Sequence, residues 1–288
     1  QTMAGKEASW KWIGNLDPCI YHLPCPTDAF EDMRQIYDEE KGRRLFEKDI
    51  QDLEKSGVDL DTIAGAIFEP YQGWAALFYP IGYIKALREF LNEKKALLVS
   101  DEVQAGFGRT GKMFGYEYYD VNVDIICCGK AVSGALPLSA ILSSAEILDV
   151  DGSLNSTHGG SPLPCASALA NLKYIEEHHL VEEAKRKEKI LLEKLNEIKA
   201  KFPDRVKAIH GMGMAFAAVI VKPGTKELDI ELVDRVIERA FEKGVMSIRT
   251  MTGTIKVGPP LTITDDALIE AMDVLMEAMS EVIKESYE

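Results

Sequence analysis

Three short apolar runs constrain this chain more than any other feature. AGAIFEP (64–70), ALLVSDE (96–102) and VDIICCGK (123–130) are each of strand length and rich in aliphatic residues. They are apolar throughout rather than alternating, which is the pattern of a strand buried on both faces. A helical pattern over about 81–93 separates the first two. Continuous apolar strands joined through helices predict an α/β fold, a mostly parallel sheet with helices on both faces.

Each run ends on an ionisable residue: Glu69, Asp101 and Lys130. In open parallel sheets ligands sit outside the carboxyl ends of the strands. Two carboxylates and an amine are therefore expected at one crevice. The plainer reading is that charges mark where strands leave the core, and it holds for any one of the three better than for all of them. An aspartate and a lysine so placed suit pyridoxal phosphate. Its aldehyde needs a lysine amine for a Schiff base, and its ring nitrogen needs an acidic partner to stay protonated. A metal is the rival use of a carboxylate pair, but no histidine spacing accompanies Glu69 or Asp101.

Around the runs, Asp28 is expected to cap a charged helical stretch over about 29–55, broken near Gly42 and ended by Gly57. A helix is expected to start after Pro162 or Pro164. A second, over 181–201, carries Ile190, Leu191, Leu195 and Ile198 on one face and stops at Phe202-Pro203. The remainder reads as strand-like GMAFAAVIV (213–221), a helix over about 230–243, the runs VMSIRT and TIKVG, and a final helix after Thr264. The expected division is a cofactor-binding domain over 1–178 and a smaller α+β domain over 179–288.

Composition excludes several classes of partner. The formal net charge of -14 opposes nucleic acid and anionic membrane, and no apolar run approaches a membrane span. Five cysteines without CxxC spacing fit neither a disulfide framework nor a zinc site, so a thiol-reducing, cytoplasmic setting is expected.

Four longer stretches resemble the class III aminotransferases, a pyridoxal-phosphate family of fold type I. They are VSDEVQAGFGRTG (99–111), DIICCGKAVSGALPLSA (124–140), THGGSPLPCASALA (157–170) and GPPLTIT (258–264), in family order and spacing. The resemblance implies that Lys130 forms the Schiff base and shuttles the substrate's α-proton. Asp101 pairs with the ring nitrogen, Val103 packs on the ring face, Gln104 bonds the ring hydroxyl, and Glu69 sits beside it. Thr157 reaches the phosphate of a neighbouring subunit's cofactor, which implies a homodimer with shared sites. Simple core packing for Val103 and helix capping for Thr157 are the plainer readings. Arg109 is expected to anchor its loop and to take no part in catalysis.

The chain departs from the family pattern where substrate would bind. FEPYQGWAALF (68–78) has Trp74 where the family usually has an acid after the glycine. TIKVGPPL (254–261) has Lys256 where the family's carboxylate-binding arginine would precede the two prolines. Paired with that loss, Trp74 and Lys256 point to a bulky or apolar substrate rather than 2-oxoglutarate, although Trp74 also reads as a buried aromatic in an ordinary loop. A lysine can still hold a carboxylate, as a point charge without the bidentate fork. His158 and Ser161 are also unusual for the family. The chain opens at Gln1, and nothing over 1–28 resembles the phosphate loop that the family carries upstream. Three readings follow: an aminotransferase acting on an amino acid or amine and a 2-oxo acid; an amino-acid racemase or epimerase of the same family; and a non-catalytic fragment or scaffold lacking the phosphate loop.

Overall fold

The computed structural model describes residues 11–73, 76–150, 152, 155–250 and 253–285. Trp74, expected in the substrate site, lies outside the described residues.

The three apolar runs form strands β1 (Gly65–Phe68), β4 (Leu97–Asp101) and β5 (Ile125–Cys128) of one four-stranded sheet. Its order is β1-β4-β5-β6, where β6 is Ala140–Ser143. The first three strands are parallel and β6 is antiparallel to β5. Strands β2 (Tyr71–Gln72) and β3 (Leu77–Phe78) form a small hairpin directly after β1. The connection from β1 to β4 runs through helix α2 (Ile81–Lys94), as the periodicity requires.

Asp124 sets the register of the central pair. Its backbone N–H donates to the carbonyl of Leu98 at 2.8 Å, and its Oδ2 accepts the N–H of Leu98 at 2.7 Å. Arg88 of α2 holds the same oxygen at 2.6 Å. One carboxylate thus ties the covering helix to both strands before β5 begins.

Alternation along the strands separates two faces. Phe68 and Leu98 lie on the face that α2 covers, within a cluster that includes Tyr83, Ile84, Leu87 and Leu91. Helix α1 (Glu39–Lys55) adds Phe46 to it. On the same face Ile126 and Cys128 meet Ile175 of helix α4 (Pro162–Glu177), with a short helix α3 (Ala145–Leu148) preceding it. Complete burial of a side chain such as Leu98 contributes roughly 1.5–3 kcal/mol. The opposite face carries Val99, Asp101, Ile125 and Cys127, flanked by Ile67 and Ile141. Helices are expected on both faces of such a sheet, yet here Ile67 is 42% and Ile141 57% exposed.

The stretch over 29–55 differs from expectation at two points. Asp38, not Asp28, caps α1, accepting the Lys41 N–H at 2.9 Å. Gly42 does not break the helix. It is buried, and a Cβ there would stand 2.8 Å from the Tyr83 nitrogen of α2. The glycine serves a close helix–helix approach, a tertiary demand that local propensity does not reveal.

The remaining residues build an antiparallel sheet of order β7-β8-β10-β9. Its strands are Val206–Met212, Ala215–Ile220, Thr254–Val257 and Ile248–Arg249 for β7, β8, β10 and β9. Helices α5 (Leu180–Lys201), α6 (Ile230–Glu242) and α7 (Asp265–Glu285) pack with it. Leu191, Leu195 and Ile198 of α5 are buried as their spacing predicts. Strand β7 escapes the sequence reading, because Lys207, His210 and Gly211 interrupt its apolar pattern.

Replacing Gly42 with alanine is expected to separate α1 from α2 at a cost of about 1–3 kcal/mol, the range for overpacking a filled contact. Urea unfolding checks it through a lowered midpoint with an unchanged slope.

Candidate active site

Asp101 is the last residue of β4, and its Oδ1 accepts the Val103 N–H at 3.0 Å. This short turn reverses the chain at the strand end. The next residue is driven inward. Glu102 is fully buried, and its carboxylate accepts from Ser100 Oγ at 3.0 Å, Gly115 N at 2.8 Å and Tyr116 N at 2.9 Å. Burial raises its pKa, and those donors work against the rise. Glu102 therefore holds both ends of the 103–116 loop in one place. Sequence reasoning missed it, since a second acid after Asp101 carries no local mark of burial.

Strand β5 ends at Cys128, and Lys130 follows after one glycine. A Cβ on Gly129 would lie 3.1 Å from Val103 Cγ1, so the Val103 side chain occupies the space that a larger residue beside the lysine would need. Lys130 adopts φ 41°, the left-handed region that side chains other than glycine rarely occupy. Such strain persists only where surrounding structure fixes it, and it clusters at functional sites. The Lys130 side chain is exposed, and its amine has no hydrogen bond or ion pair among the described residues. Because Asp101 pairs with Cys127 across the ladder, the carboxylate and the amine arrive at the same end of neighbouring strands.

Glu69 completes the row. Its Oε2 accepts the Gly73 N–H at 3.1 Å. Burial holds its pKa above the ordinary value; Asp101 adds to the rise, while the Gly73 N–H, Lys130 and Lys256 oppose it. These influences place Asp101, Lys130 and Lys256 within electrostatic reach of Glu69. Lys256 enters from β10. Its ammonium donates to the Gly73 carbonyl at 2.7 Å and to Gln104 Oε1 at 2.9 Å, above the Tyr71 ring. The Tyr71 hydroxyl donates to the same Oε1 at 3.2 Å. Burial lowers the pKa of Lys256, helped by the Lys130 and Arg109 charges. Arg109 anchors its loop to the second sheet, donating to the carbonyls of Met214 at 3.0 Å and Pro259 at 2.6 Å.

The structure thus brings together Glu69, Asp101, Val103, Gln104, Lys130 and Lys256. It does not bring Thr157 to them. That residue is exposed on the turn before α4, with His158 beside it. Nor does Thr157 cap α4, whose N-cap is Ser161. Tyr71 and Gly73 are additions that the sequence did not mark. The donor set suits pyridoxal phosphate: an amine unpaired among the described residues, a carboxylate on the neighbouring strand end, and an amide held by Lys256 and Tyr71.

Gly73 leaves room for that amide, since a Cβ there would lie 2.2 Å from Gln104 Oε1. Gly73→Ala is expected to displace the flexible Gln104 end while costing less than about 1 kcal/mol of stability. Fluorescence titration with pyridoxal phosphate, set beside an unfolding curve, checks this. Affinity should fall about tenfold, near the net value of one hydrogen bond.

Known proteins match most of this chain. The model of the family described as aminotransferase class-III matches residues 3–279. A 4-aminobutyrate aminotransferase from Mycobacterium leprae is 34% identical over 274 residues, covering 93% of this chain and 61% of that protein. An alanine/serine racemase from Pyrococcus horikoshii is 32% identical over 276 residues, covering 93% of this chain and 58% of that protein. Among solved structures, a transaminase from the marine bacterium Virgibacillus superposes with a TM-score of 0.82 at 29% identity, covering 97% of this chain and 63% of that one. The chain therefore spans about three-fifths of the length of these relatives. With a match that runs almost from end to end and a fold that agrees, the chain belongs to the class III aminotransferase family.

Proposed function

We propose that the protein transfers an amino group between an amino acid or amine and a 2-oxo acid, with pyridoxal phosphate as cofactor and Lys130 as its attachment point. The observation that carries this reading is the unpaired Lys130 amine at the end of β5, one strand from Asp101 at the end of β4. When bound, the cofactor supplies an electron sink for the substrate's α-carbon.

The chain's own residues supply the rest. Lys130 Nζ would take the proton from the substrate's α-carbon and pass it to the cofactor, which requires an amine free of other partners. The Asp101 carboxylate, with Oδ1 fixed by Val103 N–H, would keep a proton on the ring nitrogen. Val103, whose side chain leaves no space for a Cβ at Gly129, would hold the ring face. Gln104 would donate to the ring oxygen, with Glu69 beside it. Thr157, on its exposed turn, serves the phosphate of a second subunit, so the working unit is a homodimer with shared sites. The half-exposed apolar sheet face, with Ile67 and Ile141, favours assembly with further protein surface. The setting we propose is cytoplasmic; the cysteines are unpaired, and no described helix is long and apolar enough to cross a membrane.

Substrate choice follows from β10. Lys256 already donates to Gly73 and Gln104, and as a lysine it lacks the fork that would grip a second carboxylate. A bulky or apolar substrate is therefore preferred over a dicarboxylate. Racemisation is the second reading, favoured by the likeness to the alanine/serine racemase.

A half-reaction separates the two. The loaded protein, given an amino-acid donor alone, should convert its cofactor to the aminated form with release of one 2-oxo acid per site. Pyruvate should then restore the starting spectrum faster than 2-oxoglutarate. Loss of optical activity of the donor without any aminated cofactor would replace transamination with racemisation, and faster recovery with 2-oxoglutarate would reject the substrate assignment.

A further inference from the structure

Gln104 Oε1 has two neighbours, of which Lys256 settles the amide's orientation and Tyr71 holds its end. An ammonium has three donors and no acceptor, so the Gln104 atom at 2.9 Å from Lys256 Nζ must be the amide oxygen. The Tyr71 hydroxyl, fully buried, donates to that oxygen as well, at 3.2 Å. Flipping the amide would set its NH2 group against the ammonium and break the Lys256 bond, and it would turn the Tyr71 hydroxyl from donor to acceptor. Gln104 Nε2, in contrast, donates to nothing among the described residues, and the side chain is half-buried. Gly73 closes the arrangement. Its carbonyl accepts from Lys256 at 2.7 Å, its N–H donates to Glu69, and its missing Cβ makes space for Oε1.

We infer that Lys256 and Tyr71 are positioning residues that lock the Gln104 amide so that only its N–H donors face the site, and that Lys256 is a strut for this amide and not a receptor for substrate carboxylate. The inference rests on the cofactor reading above and adds two residues to it. Neither touches the reacting atoms. Both act through Gln104, one from the β2-β3 hairpin and one from the second four-stranded sheet. A locked N–H donor favours an anionic oxygen on the ring it faces. An unlocked amide presents its carbonyl part of the time and loses that preference.

The test is a double-mutant cycle read by spectroscopy. The protein is loaded with pyridoxal phosphate, and the pH midpoint of its borohydride-sensitive visible band is measured for wild type, Lys256→Met, Gln104→Ala and the double variant. A donor to the ring oxygen stabilises its anion and lowers that midpoint. Each single variant should therefore raise it by about one pH unit, the equivalent of one hydrogen bond. The double variant should shift it no further than Gln104→Ala alone. Tyr71→Phe, which changes no charge and keeps the ring, should shift it the same way by a smaller amount. Lys256→Arg should restore the wild-type midpoint at least in part.

Two results would overturn the inference while leaving the cofactor reading intact. One is an unmoved midpoint in both Lys256→Met and Tyr71→Phe. The other is a Lys256→Met shift that persists in full on the Gln104→Ala background, since the lysine would then act by its charge alone. Absence of any borohydride-sensitive band in the wild-type protein would overturn the cofactor reading and this inference together.

Discussion

The site depends on the parallel register of β4 against β5. Asp101 lies opposite Cys127, so the chain leaving β5 delivers Lys130 next to the carboxylate that ends β4. A slip of one residue would send Asp101 to the opposite face of the sheet. Asp124 prevents the slip by bonding the Leu98 backbone while Arg88 holds the same carboxylate. Its pairing is partly buried and shares geometry with the ladder, unlike the many exposed ion pairs along α5 and α7, where each contributes little. Glu102 acts one residue beyond the strand, turning inward where Asp101 turns outward and fixing the loop that carries Val103 and Gln104.

The second sheet is a working part of the site. Arg109 crosses to the carbonyls of Met214 and Pro259, and Lys256 crosses back to Gly73 and Gln104. A buried cluster of Ile36, Tyr71, Phe78, Ala105, Met212 and Ala217 fills the space between the two crossings. Displacing β10 would therefore disturb the amide that faces the site, even though Lys130 and Asp101 lie on the other sheet. The sequence is arranged accordingly: Gly73 occurs where two polar contacts and one close approach leave no space for a side chain.

Much of this was legible in the chain alone. The three apolar runs announced their strands because central parallel strands are apolar along their whole length. Their terminal charges announced Glu69, Asp101 and Lys130 because a strand's end is where polarity returns. What stayed hidden was tertiary. Strand β7 carries His210, whose ring bonds the Ala29 carbonyl at 2.8 Å, a partner 181 residues away. Gly42 looked like a helix break and is a contact point between helices. Lys256 was expected to meet substrate, yet its partners lie 183 and 152 residues away in the hairpin loop and after β4. No local pattern encodes such a meeting, and the roles of Tyr71 and Glu102 were invisible for the same reason.

The central claim is that Lys130 carries the cofactor. The most direct test is to add pyridoxal phosphate, reduce with borohydride, digest, and locate the added mass by peptide mapping. A single modified peptide containing Lys130 is expected, and no modified peptide in Lys130→Ala. Modification at Lys256 in its place, or none at all in the wild-type protein, would contradict it.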